Sequence, residues 1–569
     1  MSENENVKVL LLEAGSEHHS KNVLDIPAMS SEHHGTFMDW NYKIEPQKYA
    51  CKSFINNQIN WPQGRMLGGT DGFNHMIYIR GNPRDYDEWA LNGCSGWSYE
   101  DVLPYFIKAE NNKNMYYKQS DYHGSQGPLS VSDMSSTLLS EKFIMAAKEM
   151  KYDRLDVNGP KQLGVSLIQG LTSWGKREGV LNAYLYPSMN RDNLHVATHA
   201  YVRKVLFKGN QAVGIELFWN KTIRQVRAIK EVILSAGVIG SPHILMLSGI
   251  GPQKHLKKFD IPVIMDLPVG RNLQDHVTVL GLEFTIKNKI ATTDKKTKSL
   301  SVLFDYLIFG KGVLTTSGYE ATGFFTSAIQ PSNITYPFIQ VHLFNSMLGT
   351  VMSEERLTAI KSRLNMNNKV FTSLFGDMMY NEGFTLYPIL LHPRSRGSVT
   401  LNSSNPYDKP IIDPNYLSED QDVQILLEGI RLSERIVSTK EMKTIGAERS
   451  SRRHPFCEQH EDGSDEYWSC FIRHNTMSMH HGVGTCKMGA AGDIGAVVDD
   501  QLRVRGVKKL RVVDASVIPN IISGDINAAV IMIAEKAADL ILNRKTVKKF
   551  GEKETHDEWH ERIHKKDEL

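Results

Sequence analysis

The chain has 569 residues, 41% hydrophobic and 23% charged, with 43 glycines and 5 cysteines. That composition excludes global disorder and a disulfide-dense scaffold, and the length calls for two or three compact units. With 66 basic against 64 acidic residues the formal charge is +2, which excludes a general attraction to nucleic acid or to an anionic membrane.

In chain order, Val7–Leu12 is an apolar run broken by Lys8 and followed by Glu13–Ala14–Gly15. It predicts a buried, parallel-type strand closed by an acid and a turn. The opening MSENENVKVLLLEAG lacks the basic and long apolar regions of a signal peptide. Near 65–81, Gly68 and Gly69 stand ahead of an apolar segment and predict a close approach of backbone to a ligand or another element. Residues 194–206 and 211–218 alternate apolar and polar side chains like strands. Val232 to Gly251 is an uncharged run of about membrane-spanning length. Its four Gly, one Pro, three Ser and one His predict instead a buried strand, a turn and a helix starting around Ser241–Pro242.

Between about 280 and 390 the sequence is aromatic-rich, reads as irregular and carries no placeable chemical motif. Residues 509–543 read strand, loop, helix, with Val530, Ile531, Ile533, Ala534 and Ala537 as the buried helix face. A charged tail follows and ends in Lys566–Asp567–Glu568–Leu569, the endoplasmic-reticulum retrieval signal. Sequons at Asn220, Asn333 and Asn402 agree with a lumenal address.

Two metal patterns carry less. His560–Glu561–Arg562–Ile563–His564 matches the zinc-protease spacing but has no downstream third ligand, and it reads as accidental. His454, Cys457, His460, Cys470 and His474 have a zinc-like mixture; a Cys457–Cys470 disulfide is the stronger reading given the lumenal tail, so no metal is expected. Cys51 and Cys94 have no assignable partner, and Cys486 reads as a small apolar residue beside His481. Glu13 alone is either a surface acid or a ribose ligand. No G-x-G-x-x-G turn occurs in the chain to decide between them.

Eight blocks in order resemble the glucose–methanol–choline flavin oxidoreductase family. They are VKVLLLEAG, DWNY (39–42), WPQGRMLGGTDGFNHMIYIRGNPRDYDEW (61–89), SAGVIGSPHILMLSGIGP (235–252), DLPVGRNLQDHV (266–277), HPRSRGSVTLN (392–402), HHGVGTCKMG (480–489) and VVDASVIPNIISGDINAAVIMIAEKAADLI (512–541). CEQHEDGSDEYWSCFIRH, with Cys457 and Cys470, resembles the arthropod branch that includes flavin-dependent glucose dehydrogenases. The resemblance implies an α/β fold: a doubly wound FAD-binding domain interleaved with a substrate domain on an antiparallel sheet. It divides the chain into 1–280, mainly FAD-binding; 281–390, substrate side; 391–543, substrate strands and then the catalytic and FAD-binding segment; and the tail 544–569.

The resemblance also implies roles. Glu13 would bind the adenosine ribose and Val202 would lie near the adenine. Gly69, Thr70, Asn74, His75 and Ile77 would line the pyrophosphate and flavin, and Asp514, Ala515 and Asn527 would lie near the ring. His481 would take the alcohol proton while the substrate carbon passes hydride to the flavin, a role that suits imidazole at neutral pH. His480 is adjacent, but the spacing to Gly484–Thr485–Cys486 favours His481.

Three departures stand against the family pattern. The second catalytic position, His or Asn in family members, is Asp525, which as a carboxylate is no donor and would raise the basicity of a neighbouring His481. Either it turns away, or Asn527 substitutes, or activity is weakened. Asp71–Gly72 replaces two small hydroxyl residues. The resemblance also runs into Met1, so the first strand and the glycine-rich turn are expected to be missing, with poor FAD binding as the consequence. The implied partners are an alcohol or sugar substrate, an electron acceptor (quinone-like, other or oxygen) and a KDEL receptor, with no nucleic acid and no membrane span. The alternative is a weakened or inactive lumenal homologue that binds rather than catalyses.

Overall fold

The computed structural model describes residues 1–17, 24–330, 336–350, 354–376 and 381–544. The retrieval tail, the 560–564 pattern and the Asn333 sequon lie outside them. β1 (Val9–Leu12) pairs in parallel with β2 (Leu194–Ala197), Val9 opposite Leu194 through Leu12 opposite Ala197. This ladder has two strands, and Leu10 and Leu11 are 45% and 38% exposed. The expected burial of β1 is thereby corrected, because a parallel strand is enclosed only where neighbours cover its edges and faces. The strand expected over 194–206 is split at His199, whose φ of 54° is left-handed. The chain then forms an antiparallel ribbon of β3 (Tyr201–Lys208), β4 (Gln211–Trp219) and β5 (Thr222–Arg227).

β6 (Val232–Leu234) leads into α1 (Gly237–Leu247). The helix starts ahead of the predicted Ser241–Pro242 start, and Pro242 lies inside it. A proline there gives no N–H to the Val238 carbonyl one turn back; Thr485 Oγ1 donates to that oxygen instead, at 2.6 Å. At the helix start Gly237 N–H donates to Asp514 Oδ2 at 3.0 Å. Side chains from far along the chain thus satisfy groups that local capping leaves open.

Residues 280–390, expected to be irregular, supply the centre of an eight-stranded sheet, which corrects that expectation. β7 (Val277–Val279), β8 (Glu283–Thr285), β9 (Tyr319–Phe325), β10 (Ile339–Phe344) and β11 (Gly383–Leu390) pair antiparallel, with β8, β11, β10 and β9 side by side and β7 also on β11. Gly164–Leu167 forms one edge beside β9. Every residue of β9 is buried, so no polar alternation marks it in the sequence. Between β8 and β9 the chain makes α2 (Leu300–Phe309). α3 (Asp420–Ser438) packs against the sheet so closely that a Cβ on Gly429 would lie 2.8 Å from Pro388. β12 (Thr476–Ser478) then pairs with β7.

β13 (Leu510–Val512) returns to pair in parallel with β6, and α4 (Asn527–Leu542) follows. Ile531, Ile533 and Ala537 are buried as predicted and Val530 is half-buried, but Ala534 is exposed. The buried side of α4 runs instead through Ala528, Ala529, Met532 and Lys536. The Lys536 ammonium lies over the rings of Trp97 and Tyr105, so its stem does the covering that Ala534 was expected to do. Two apolar cores result. One, under the antiparallel sheet, holds Trp61, Phe284 and Trp468; the other, under the parallel ladders, holds Trp89, Trp97 and Val512.

Candidate functional site

Four residues distant in sequence meet where the two halves of the fold adjoin: His276 just before β7, His342 in β10, His481 after β12, and Asp525 before α4. Asp275 anchors them. Its Oδ1 accepts the His481 backbone N–H at 2.8 Å, and its Oδ2 accepts the hydroxyls of Ser478 and Tyr416, each at 2.5 Å. Burial pushes the Asp275 carboxyl up to about 6 against these donors. His480, in the left-handed region at φ 60°, turns the chain between Ser478 and His481, both of which donate to Asp275.

The hydrogen bonds fix where protons sit. The Leu391 carbonyl can only accept, so His276 Nε2, 3.0 Å away, carries a hydrogen. Burial, reinforced by the charge of His481, drives the His276 imidazolium well below its ordinary range, so the ring is neutral and its Nδ1 is a bare acceptor. His481 Nδ1, 2.9 Å from that atom, is therefore the donor. Its other nitrogen, Nε2, faces Asp525 Oδ1 at 3.4 Å. With the Nδ1 hydrogen spent on His276, Nε2 is the His481 atom that can take a further proton, and Asp525 Oδ1 stands beside it to accept that N–H. Asp525 Oδ2 lies 3.3 Å from His342 Nε2. Burial opposes the Asp525 anion, but His342 and His481 together hold its carboxyl well below the usual carboxylate range. The expectation that Asp525 turns away, or that Asn527 takes its place, is corrected: Asn527 Nδ2 instead donates to Asp71 Oδ1 at 2.9 Å.

Asp71 joins three segments. Its Oδ1 also accepts from Asn74 at 3.3 Å, and its Oδ2 accepts the Val180 N–H at 2.7 Å. Asn74 Oδ1 in turn accepts from Met76 N–H and from Arg177 Nη1, at 2.9 and 2.8 Å. The Asn74 side chain is thus spent on holding the loop. Gly68 and Gly69 have φ of 88° and 59°, and a Cβ on Gly69 would meet nothing within 4 Å, so the backbone here stands open. Thr70 Oγ1 accepts the Gly64 N–H at 3.1 Å. Ile77 is buried and bridges to Gly170.

At the other end of the site, Glu13 Oε1 accepts the Gly15 N–H at 2.7 Å, and burial pushes its carboxyl up to about 7. The Glu13 carbonyl accepts from Ala200 N–H at 2.8 Å, which brings the half-buried Val202 of β3 near it. Asp514 accepts from Ser241 Oγ and Ser516 Oγ, each at 2.5 Å, and the Ala515 carbonyl from Gly484 N–H at 3.4 Å. His75 Nδ1 and His480 Nδ1 are enclosed without a partner, and burial lowers both imidazoles to about 3. These features fit a dinucleotide: an acceptor for hydroxyls at Glu13, open backbone for a diphosphate at Gly68–Gly69, and neutral imidazoles with unused nitrogens for an aromatic ring.

Sequence reasoning missed His342 and the roles of Asp275, His276 and Arg177. Asp275 and His276 lie inside the block DLPVGRNLQDHV, where the adjacent acid and histidine were the available signal; His342 lies in a strand with no motif around it. A groove of about 900 Å³ lined by Arg503, Arg505 and Lys509 contains none of the site residues. Among the described residues Cys457, Cys470 and His474 form the one group with metal-like spacing. Cys457 and Cys470 are joined as a disulfide, which leaves no thiolate for a metal. Cys51, Cys94 and Cys486 are buried thiols.

A family model described as GMC oxidoreductase matches residues 29–278, and its C-terminal counterpart matches 393–534. Glucose dehydrogenase [FAD, quinone] of Drosophila pseudoobscura pseudoobscura is 35% identical over 539 residues, covering 94% of this chain and 82% of its own. Mitochondrial choline dehydrogenase of Mus musculus is 35% identical over 556 residues, with 95% and 86% covered. The crystal structure of pyridoxine 4-oxidase from Mesorbium loti superposes with a TM-score of 0.80 at 27% identity, over 96% of each chain.

Proposed function

The chain belongs to the GMC oxidoreductase family, whose members oxidise CH–OH groups with FAD, and from that premise we propose that its substrate is a sugar or alcohol of the kind handled by glucose dehydrogenase. The His481–Asp525 pair at 3.4 Å carries this reading. FAD, when bound, supplies the acceptor for the hydride that leaves the substrate carbon. The protein's own residues deal with the hydroxyl proton, which passes to His481 Nε2, beside Asp525 Oδ1. His276 orients the His481 ring through Nδ1, and Asp275 pins its backbone. His342 Nε2 stands 3.3 Å from the far oxygen of Asp525. Glu13 would hold the ribose, and the Gly68–Thr70 turn the diphosphate. Electrons leave to a quinone-like or other acceptor, or to oxygen.

The test is anaerobic mixing of the purified, flavin-bearing protein with glucose, choline and simple alcohols. Bleaching of the flavin band by a sugar is the expected result. A protein that retains flavin and is bleached by none of the panel would remove the reading.

A second reading is favoured by one observation, the carboxylate at Asp525 beside the proton acceptor: a weakened homologue that binds its ligand without efficient turnover. Gain of turnover in Asp525→Asn separates a repressed enzyme from a binding protein. For location we propose the endoplasmic-reticulum lumen, with retrieval by a KDEL receptor. The terminal Lys566–Asp567–Glu568–Leu569, the Cys457–Cys470 disulfide and the exposed sequons at Asn220 and Asn402 support it. Sensitivity of the cellular protein to endoglycosidase H is the check.

A further inference from the structure

α2 turns its apolar stripe away from the core. Leu300, Leu303, Phe304, Leu307 and Ile308 follow the i, i+3, i+4, i+7, i+8 spacing of one helix face, yet they are 85%, 45%, 57%, 68% and 60% exposed. Tyr306 alone in this helix is buried. The helix is locally well formed: Ser299 Oγ accepts the Val302 N–H at 3.4 Å, and Gly310 ends it in the left-handed region. Trp174, 84% exposed in the turn after Ser173, extends the patch. It adjoins the end of α2, where a Cβ on Gly310 would lie 2.5 Å from the Trp174 carbonyl oxygen. A contiguous apolar face of this kind marks an interaction site rather than ordinary surface.

Lysines frame the stripe. Lys295 and Lys298 precede it, Lys311 follows it and Lys176 stands beside Trp174, all exposed. Lys298 bonds Asp294 at 2.9 Å and keeps 60% of its side chain in solvent. From 299 to 311 the single acid is Asp305. We propose that this face docks on an anionic lipid bilayer. α2 lies in the headgroup layer with its stripe inward, Trp174 sits at the interface, and the lysine ammoniums reach the phosphates. No helix among the described residues is long and apolar enough to cross a membrane, so the contact is one of lying on the surface. A second copy of the chain fits less well, because two such faces packed about a twofold axis would oppose lysine to lysine with little acid between them. The whole-chain charge of +2 conceals this local cluster.

Co-sedimentation of the purified full-length protein with phosphatidylcholine vesicles, with and without phosphatidylserine, tests the proposal. Binding is expected with phosphatidylserine, falling at high salt, and weak without it. Leu303→Ser/Phe304→Ser/Leu307→Ser is expected to abolish it. Lys295→Glu/Lys298→Glu, which leaves the stripe intact, is expected to weaken it by at least about fivefold per lysine. Light scattering without vesicles is expected to show a monomer for every variant. Three results would overturn the proposal: no binding to phosphatidylserine vesicles, binding unchanged in both variants, or a wild-type dimer that the serine variant dissolves. The lysine variant decides the question should the serine variant fail to fold.

Discussion

In the role proposed for His481, Asp525 puts an anion beside the atom that receives the proton, where negative charge develops during alcohol oxidation. Its Oδ1 lies 3.4 Å from His481 Nε2, the atom that would take the proton. Asp525→Asn removes the anion and supplies a donor in its place. Turnover near neutral pH is expected to rise by about 10²-fold. Steady-state rates of the variant and the wild type check this. At the other end of the site Glu13, pushed up to about 7 by burial, gives a second pH dependence. An ionised carboxylate accepts from ribose hydroxyls and a protonated one accepts less well, so FAD affinity is expected to fall as pH drops below about 7. Glu13→Gln should bind FAD weakly and without this dependence, as read by flavin fluorescence titration. His481 and Asp525 were legible because they sit in long blocks of recognisable sequence. His342 was not, because a histidine in a fully buried strand looks like any core polar residue until its neighbour across the fold is known.

Elements in this fold are completed by side chains from elsewhere. α1 tolerates Pro242 in its interior because Thr485 Oγ1 donates to the Val238 carbonyl. Thr485→Val leaves that oxygen buried and unpaired, a loss of about 1–3 kcal/mol, and a lowered thermal midpoint with the fold retained by circular dichroism is the expected result. The start of this helix was misread for the same reason: Pro at N1 is the local rule, and Asp514, which caps Gly237 across the fold, is invisible to a local reading. β1 was read correctly as parallel and wrongly as enclosed. Its two-stranded ladder, with Leu10 and Leu11 open to solvent, is expected to exchange its amide hydrogens much faster than β9 and β10 in the buried sheet. Hydrogen-exchange mass spectrometry reads the two regions side by side.

Across the whole molecule, the interleaved architecture was legible through the order of its motifs rather than through periodicity. The antiparallel sheet was implied by that resemblance, but its strands escaped a local reading because β9 is buried on both sides and so has no alternation to read. The Cys457–Cys470 bond closes a loop spanning 13 positions next to the core that holds Trp468. Loss of such a short-loop disulfide removes about 3 kcal/mol in the chain-entropy view. Cys457→Ser/Cys470→Ser, or mild reduction of the wild type, is expected to lower the melting transition of the antiparallel half while the flavin remains bound. Separate tryptophan and flavin signals follow the two events.

The convergence of His276, His342, His481 and Asp525 also has a consequence in time. A ribosome delivers these residues in that order, at about 5–20 residues per second, and the carboxylate comes last. His481 itself is made only after most of the chain, and Asp525 and α4 follow it. The site therefore cannot be assembled until the C-terminal part of the chain has been made. Competence arrives as a single late event, after both halves of the fold have been drawn together.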